Sequence, residues 1–321
     1  MVYSSIMYAF IFVFVLSAVG TYVLSVIFNF LGKRGFLGNL YPNVRGGIPR
    51  AIGVVPFIIL SFYALPGYND MVLIMGICAL IDDIMGRRKI NSLGIEWGQL
   101  SRGIGMLAVM AIGILHGLGV SSIFIALLVQ PMNIADMQPG SACMVTMVMS
   151  LLTAGVMLLV GSADVCELPA TYTPLLLFVV CIAYCPLDFA GRIMMGEVGN
   201  HTFAILLGVS FYLVGGIWWL LLFEIFTVCF VAFVRRSTLR VFFRQRLRLL
   251  DPTFGDFFMD VLTGGGLGDL FRKFILKDKQ YIVTSPLLIS LGFRRLLYNP
   301  YATHPKQYSP KDKKPKAKLG R

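Results

Sequence analysis

Basic residues occupy only alternate parts of this chain. All 28 Lys and Arg residues lie within 32–50, 85–102, 136–142, 188–201 and 235–321, and long apolar runs separate those segments. The other links, near Pro66–Asp70, Gly117–Ser122, Gly161–Thr171 and Gly215–Gly216, carry none. A globule in water spreads its cations over its whole surface. Confinement to alternate links, of which 136–142 alone carries no cation, is what a membrane imposes, because positively charged loops stay on the cytoplasmic side. Composition agrees: 57% of residues are hydrophobic and 14% charged, against about 25% charged in ordinary soluble domains. Too few solvating groups remain to cover a water-soluble fold. The same figures exclude disordered, collagen-like and disulfide-rich secreted classes.

A bilayer-spanning helix needs about 20 apolar residues, or about 17 at the short end. Ser5 to Leu31 is the longest such run and ends at Lys33 and Arg34. It is too long for a signal-peptide core and lacks a small-residue cleavage site, so it reads as a retained span. Runs at 51–66, 70–84, 103–119, 121–135, 143–161, 172–187, 202–214 and 217–234 follow. The expectation is an all-α polytopic protein of the cell (plasma) membrane with about nine transmembrane helices, N-terminus outside and C-terminus cytoplasmic. Residues 1–234 then form the membrane domain, 235–304 a basic amphipathic cytoplasmic region, and 305–321 a Lys- and Pro-rich tail expected to be disordered.

Arg235, Arg236, Arg240, Arg244, Arg246 and Arg248 recur at roughly helical spacing with Leu and Phe between them. That pattern predicts an interfacial helix on anionic headgroups, or simple retention of the last span by charge. The net charge of +12 is accordingly assigned to the membrane surface and not to nucleic acid. The six cysteines sit mostly in apolar runs and read as small packed hydrophobes, with no zinc or redox motif. Thr263-Gly-Gly-Gly-Leu-Gly-Asp269 has the look of a phosphate loop, but no Lys-Ser/Thr follows it, and it reads as a turn.

With only sixteen acids, their positions carry information, and five gather where predicted spans reach the basic side. Asp82 and Asp83 end one run, Asp136 ends another, and Asp188 and Glu197 flank the loop after a third. Adjacent carboxylates repel unless a cation or proton is shared between them. An all-oxygen set of Asp, Glu and Asn suits a hard cation such as Mg²⁺. Gln130, Asn133 and Asp136 recur every three residues and so share one helical face. Arg45, Arg50, Arg87, Arg88 and Arg192 supply donors for phosphate, and Gly191, Gly196 and Gly199 let backbone approach a ligand. A cation, phosphate binders and a lipid-facing location point to phosphoryl transfer involving a membrane lipid.

Four motifs in order carry a family resemblance: Asn43-Val-Arg-Gly-Gly-Ile-Pro-Arg-Ala-Ile-Gly53, Asp82-Asp83, Asn133-Ile-Ala-Asp136, and Met195-Gly-Glu-Val-Gly-Asn200. Over about residues 5–234 the chain resembles the polyprenyl-phosphate N-acetylhexosamine-1-phosphate transferases, which include phospho-MurNAc-pentapeptide translocase. The resemblance implies Mg²⁺-dependent transfer of a sugar phosphate from a UDP-sugar to polyprenyl phosphate, with release of UMP, in cell-envelope glycan synthesis. It implies Asp82, Asp83 and Asp136 as catalytic acids and Glu197, Asp82 and Asp83 as metal ligands. It further implies Asn133, Arg45, Arg50, Arg192, Asn200 and His201 as substrate-binding residues. The implied partners are UDP-sugar, polyprenyl phosphate and membrane lipid, and the family relation is compatible with a homo-oligomer. This chain has Gln130 and Glu197 where the family usually has Asn and Asp, and Pro139-Gly140 where Gly-x-Asp-Gly is common. The family's late His cluster is missing, with solitary His304 in its place.

Two other readings remain open: a transporter, for which Glu224 inside an apolar run is the pointer, and a catalytically degenerate membrane scaffold. The one-sided distribution of cations predicts that a cysteine placed at Asp164 is labelled from outside intact cells. One at Asn91 should be labelled only after permeabilisation; external labelling at Asn91 would refute the nine-span threading.

Overall fold

The computed structural model describes residues 2–302 except 45, 87, 91–95, 163–164, 166–167, 248, 250, 265, 278 and 300–301. Arg45, Arg87, His304 and the tail 305–321 therefore lie outside the described residues. Helices dominate throughout; among the described residues no strand forms, only isolated bridges at Lys89–Glu96 and Val165–Leu168. The chain divides into two compact units, Met1–Thr227 and Val228–Arg321.

The first unit contains α1 (Val2–Lys33), α2 (Val54–Tyr63), α3 (Asn69–Met85), α4 (Trp97–Leu115), α5 (Ser121–Leu127), α6 (Val129–Ala135), α7 (Ser141–Val160), α8 (Tyr172–Phe189) and α9 (Gly196–Gly215). The next helix, α10 (Ile217–Phe242), carries the chain into the second unit. Among the described residues six helices are long and apolar enough to cross a membrane: α1, α4, α7, α8, α9 and α10. The other predicted spans are shorter. α2 has ten residues, about 15 Å at 1.5 Å per residue, half of a hydrocarbon core about 30 Å thick. The expected run 121–135 is broken after Leu127, four residues before Pro131. A proline ring clashes with the carbonyl four residues back and offers it no N–H, so the helix restarts there.

α9 is the centre of the bundle. Every residue from Val198 to Phe211 is buried, and α2, α3, α5, α6, α7 and α8 pack around it. Side-chain ties show that the passes alternate in direction. Ion pairs Arg50–Asp83 and Arg102–Asp82, with the bond from Gly140 N–H to Asp188, gather the starts of α2, α4 and α7 with the ends of α3 and α8. At the other end, Tyr172 donates to the Tyr63 carbonyl, Ser162 to the Val214 carbonyl, and His116 meets Asp70. The first of these ends holds Arg50 and Arg102, and the links at the second are the ones free of Lys and Arg.

Backbone ties hold the 49–53 segment against the start of α9. Met194 N–H donates to Pro49 O at 2.8 Å, and Gly53 N–H to Met195 O at 3.0 Å. A Cβ on Gly53 would stand 2.5 Å from the Gly199 Cα, so two glycines are needed for the approach.

The second unit departs from the sequence expectation in one respect. The Arg-rich stretch after 234 is not a separate interfacial helix: α10 runs on unbroken to Phe242, followed by a π-helical turn at Phe243–Leu247. No Gly or Pro interrupts residues 217–247, so nothing ends the helix at the expected boundary. The unit continues with α11 (Phe254–Thr263), α12 (Gly266–Leu276), α13 (Pro286–Ser290) and α14 (Phe293–Leu296). Buried guanidinium–carboxylate pairs, Arg294–Asp256 and Arg295–Asp260, fasten α14 to α11. The glycine-rich Thr263–Asp269 stretch, expected as a turn, is largely helical instead: Thr263 ends α11 and Gly266–Asp269 form the first turn of α12.

Gly53→Ala should cost about 1–3 kcal/mol through overpacking, read as a lower midpoint of thermal unfolding in detergent. Gly155→Ala in α7, where a Cβ meets no atom within 4 Å, should be neutral or gain about 0.5–1 kcal/mol from reduced backbone freedom.

Candidate functional site

Five segments distant in sequence bring charged side chains to the end of the bundle where α9 begins: Arg50 before α2, Asp82 and Asp83 on α3, Arg102 on α4, Asn133 on α6, and Glu197 and His201 on α9. Gly196 makes the entry possible. Its φ is +75°, and a Cβ there would stand 2.6 Å from Asp83 Oδ2 and 2.8 Å from the Ala51 Cα. Ala51 itself has φ +63°, in a region that costs an L-residue about 1–2 kcal/mol.

Asp83 caps α9 from another helix. Its carboxylate accepts N–H bonds from Glu197 (3.1 Å) and Val198 (3.0 Å), where the free N–H groups and the helix dipole favour an anion. Arg50 Nε lies 3.0 Å from the same carboxylate, and the Asp83 side chain is 0% exposed. Three donors and no solvent access tie the Asp83 carboxylate to the start of α9 and to Arg50. The resemblance had made it a catalytic acid and metal ligand.

Asp82 and Glu197 are arranged differently. Arg102 Nη2 is 3.0 Å from Asp82 Oδ2 and 3.1 Å from Glu197 Oε2, and the three side chains are 11–15% exposed. His201 Nε2 stands 3.1 Å from the same Glu197 oxygen. Asn133 completes the ring once its amide is turned by 180°, the orientation its neighbours demand: the nitrogen then donates to Glu197 Oε2 at 3.1 Å and the oxygen accepts from Arg102 Nη1 at 2.7 Å. Arg50 Nη2 lies 3.7 Å from Glu197 Oε1, which is otherwise the less occupied oxygen. One guanidinium thus holds two carboxylates at a partly open surface. The adjacent pair Asp82 and Asp83 does not share a cation: Asp82 takes Arg102 and Asp83 takes Arg50.

Asp136 accepts from Asn200 Nδ2 at 3.3 Å, joining the ends of α6 and α9 beside the ring. Arg192 is exposed, and among the described residues it forms no ion pair. Asp188 is buried and serves α7, accepting from Gly140 N–H (3.1 Å) and Cys143 Sγ (3.3 Å). Among the described residues no three His, Cys, Asp or Glu side chains form a ready metal cage. Mg²⁺, however, is typically held by one or two carboxylates with water and substrate phosphate completing its shell. The paired carboxylates of Asp82 and Glu197, with the Asn133 amide oxygen close by, fit that mode in donor chemistry.

Arg102 was not singled out in the sequence. Its signal is a lone guanidinium one turn into an apolar helix, Trp97–Leu115, where a charge needs a partner. Compared with known proteins, the chain matches no family model, and no curated sequence matches it significantly.

Asp83→Asn removes the charge that Arg50 and two N–H groups share, and should cost about 1.5–3 kcal/mol of stability. Asp82→Asn leaves Arg102 paired with Glu197 and an amide able to accept from it, and should cost less, about 1 kcal/mol. Thermal unfolding of the two variants in detergent checks the order; equal losses would refute the division between a capping and an accessible carboxylate.

Proposed function

We propose that the chain transfers a sugar-1-phosphate, of the N-acetylhexosamine type, from a UDP-sugar to a polyprenyl phosphate and releases UMP. The observation that supports this reading most is the convergence of all four sequence motifs on one end of the bundle, around acids that remain partly open. The same reading places that end on the cytoplasmic side of the cell membrane, where positive loops remain. It counts α2, α3 and the α5–α6 pair as short passes, giving nine in all with the N-terminus outside.

In the proposed reaction a phosphate oxygen of the lipid attacks the β-phosphorus of the UDP-sugar. A new P–O–P bond forms as the bond to the UMP oxygen breaks. Arg50 and Arg102 stand where they can bind the phosphates and neutralise charge as it shifts to UMP. Asp82, the accessible member of its pair, is the group to take a proton from the lipid phosphate. Asn133, Asp136 and Asn200 line the adjacent side, which the resemblance gives to the uridine diphosphate. His201 stands against the Glu197 carboxylate, and Arg192, exposed in the link between α8 and α9, is a further donor for phosphate. Glu197 and Asp82 would hold Mg²⁺, whose contribution is neutralisation of the diphosphate.

A non-catalytic scaffold is the second reading, favoured by Arg102, which already compensates the two carboxylates that the reaction needs. Membranes containing the protein, incubated with labelled UDP-N-acetylhexosamines and undecaprenyl phosphate, should yield a lipid-linked product and UMP. No product with any sugar of the panel would favour the scaffold. Asp82→Asn and Asp136→Asn should each lower the rate on the order of 10²-fold or more. Glu197→Gln should nearly abolish turnover and Glu197→Asp reduce it moderately. Identical Mg²⁺ titrations for wild type and Glu197→Gln would end the metal-ligand role. Glu224→Gln should leave transfer unchanged.

A further inference from the structure

The second unit turns an apolar helix face outward. Phe271, Phe274 and Ile275 of α12 are 65%, 81% and 57% exposed, and their spacing puts them on one side of the helix. Arg272 points inward, where it pairs with Asp269 and donates to the Thr263 carbonyl at 2.9 Å. Tyr281, Ile282 and Leu287 extend the exposed apolar set downstream. Lys273, Lys277 and Lys279 are exposed among them. Large apolar side chains bared together mark an interaction surface.

What covers that surface follows from what the unit is attached to. The unit starts inside α10, a helix long and apolar enough to cross a membrane. Just past the end of α10, Phe243 meets Phe257 of α11 edge-on, ring centroids 5.5 Å apart, and Leu249 N–H donates to the Phe243 carbonyl at 3.0 Å. Asp260 and Asp269 both pair with Arg295, linking α11, α12 and α14. The small helices are therefore fastened to the end of a membrane helix, beside exposed Arg236, Arg240 and Arg244. Phe and Ile on one face of α12, with Lys273 on the helix and Lys277 and Lys279 just past its end, is the composition of a helix lying in the headgroup layer of an anionic bilayer.

We propose that α12 lies in the plane of the same membrane that α10 crosses, with Phe271, Phe274 and Ile275 inserted and Lys273, Lys277 and Lys279 on anionic lipid phosphates. The test uses the full chain in lipid nanodiscs, with an environment-sensitive fluorophore on Phe274→Cys or, as a control, on Asp251→Cys, an exposed acidic position in the same unit. Discs contain either phosphatidylglycerol with phosphatidylethanolamine, or phosphatidylcholine alone. In anionic discs the probe at 274 should show a blue-shifted emission, strong quenching by doxyl-labelled lipid, and severalfold weaker quenching by iodide than at 251. Changing Lys273, Lys277 and Lys279 to Gln should restore iodide access at 274. Equal iodide quenching at 274 and 251 overturns the proposal, and shielding unchanged in the Gln variant overturns the role of the headgroups. Shielding that rises with protein concentration in phosphatidylcholine discs marks a second copy instead, and also overturns it.

Discussion

The Asp83 carboxylate at the start of α9 is the contact on which the functional end of the molecule depends. In an apolar bundle the free N–H groups of a helix terminus have no water to turn to, and leaving them unmade is costly. Asp83 meets two of them from α3 and brings Arg50 in as its counter-charge. Three chain segments far apart in sequence are thereby fixed at one point. Gly196, Gly53 and Gly199 serve the same point by letting backbones approach without a Cβ between them.

Asp188 repeats the device, holding Gly140 and Cys143 at the start of α7 from the end of α8. Two of the five acids at this end therefore act on backbone or thiol groups of a neighbouring helix. Asp82, Asp136 and Glu197 are instead met by side chains: Arg102, Asn200 and, for Glu197, Arg102 and His201. The division is one of environment: all five are carboxylates, and what each can do is set by the donors around it and by access to solvent.

Arg102 shows how the remaining acids coexist. Removal of two carboxylates from water without a cation would carry a large penalty, and a single guanidinium bridges Asp82 and Glu197 while Asn133 completes the ring. The length of Glu197 suits this arrangement, since its carboxylate reaches Arg102, Arg50 and His201 from a backbone held back by Gly196.

Helical class, apolar passes and the gathering of acids on the basic side were legible in the sequence, because hydrophobic runs and charge segregation are properties of composition along the chain. Motif spacing likewise marked Arg50, Asp82, Asn133, Asp136, Glu197, Asn200 and His201. Pairing was not legible. Spacing cannot tell that Asp83 caps α9 whereas Asp82, one residue away, pairs with Arg102 of α4, since successive residues on a helix point about 100° apart and only packing says what lies in each direction. Nor does spacing reveal Arg102 as the shared cation, or the continuation of α10 through the arginines to Phe242. Those depend on which helix lies beside which, and burial makes that decisive: a polar group that loses water must find its partner in space, wherever the chain supplies one.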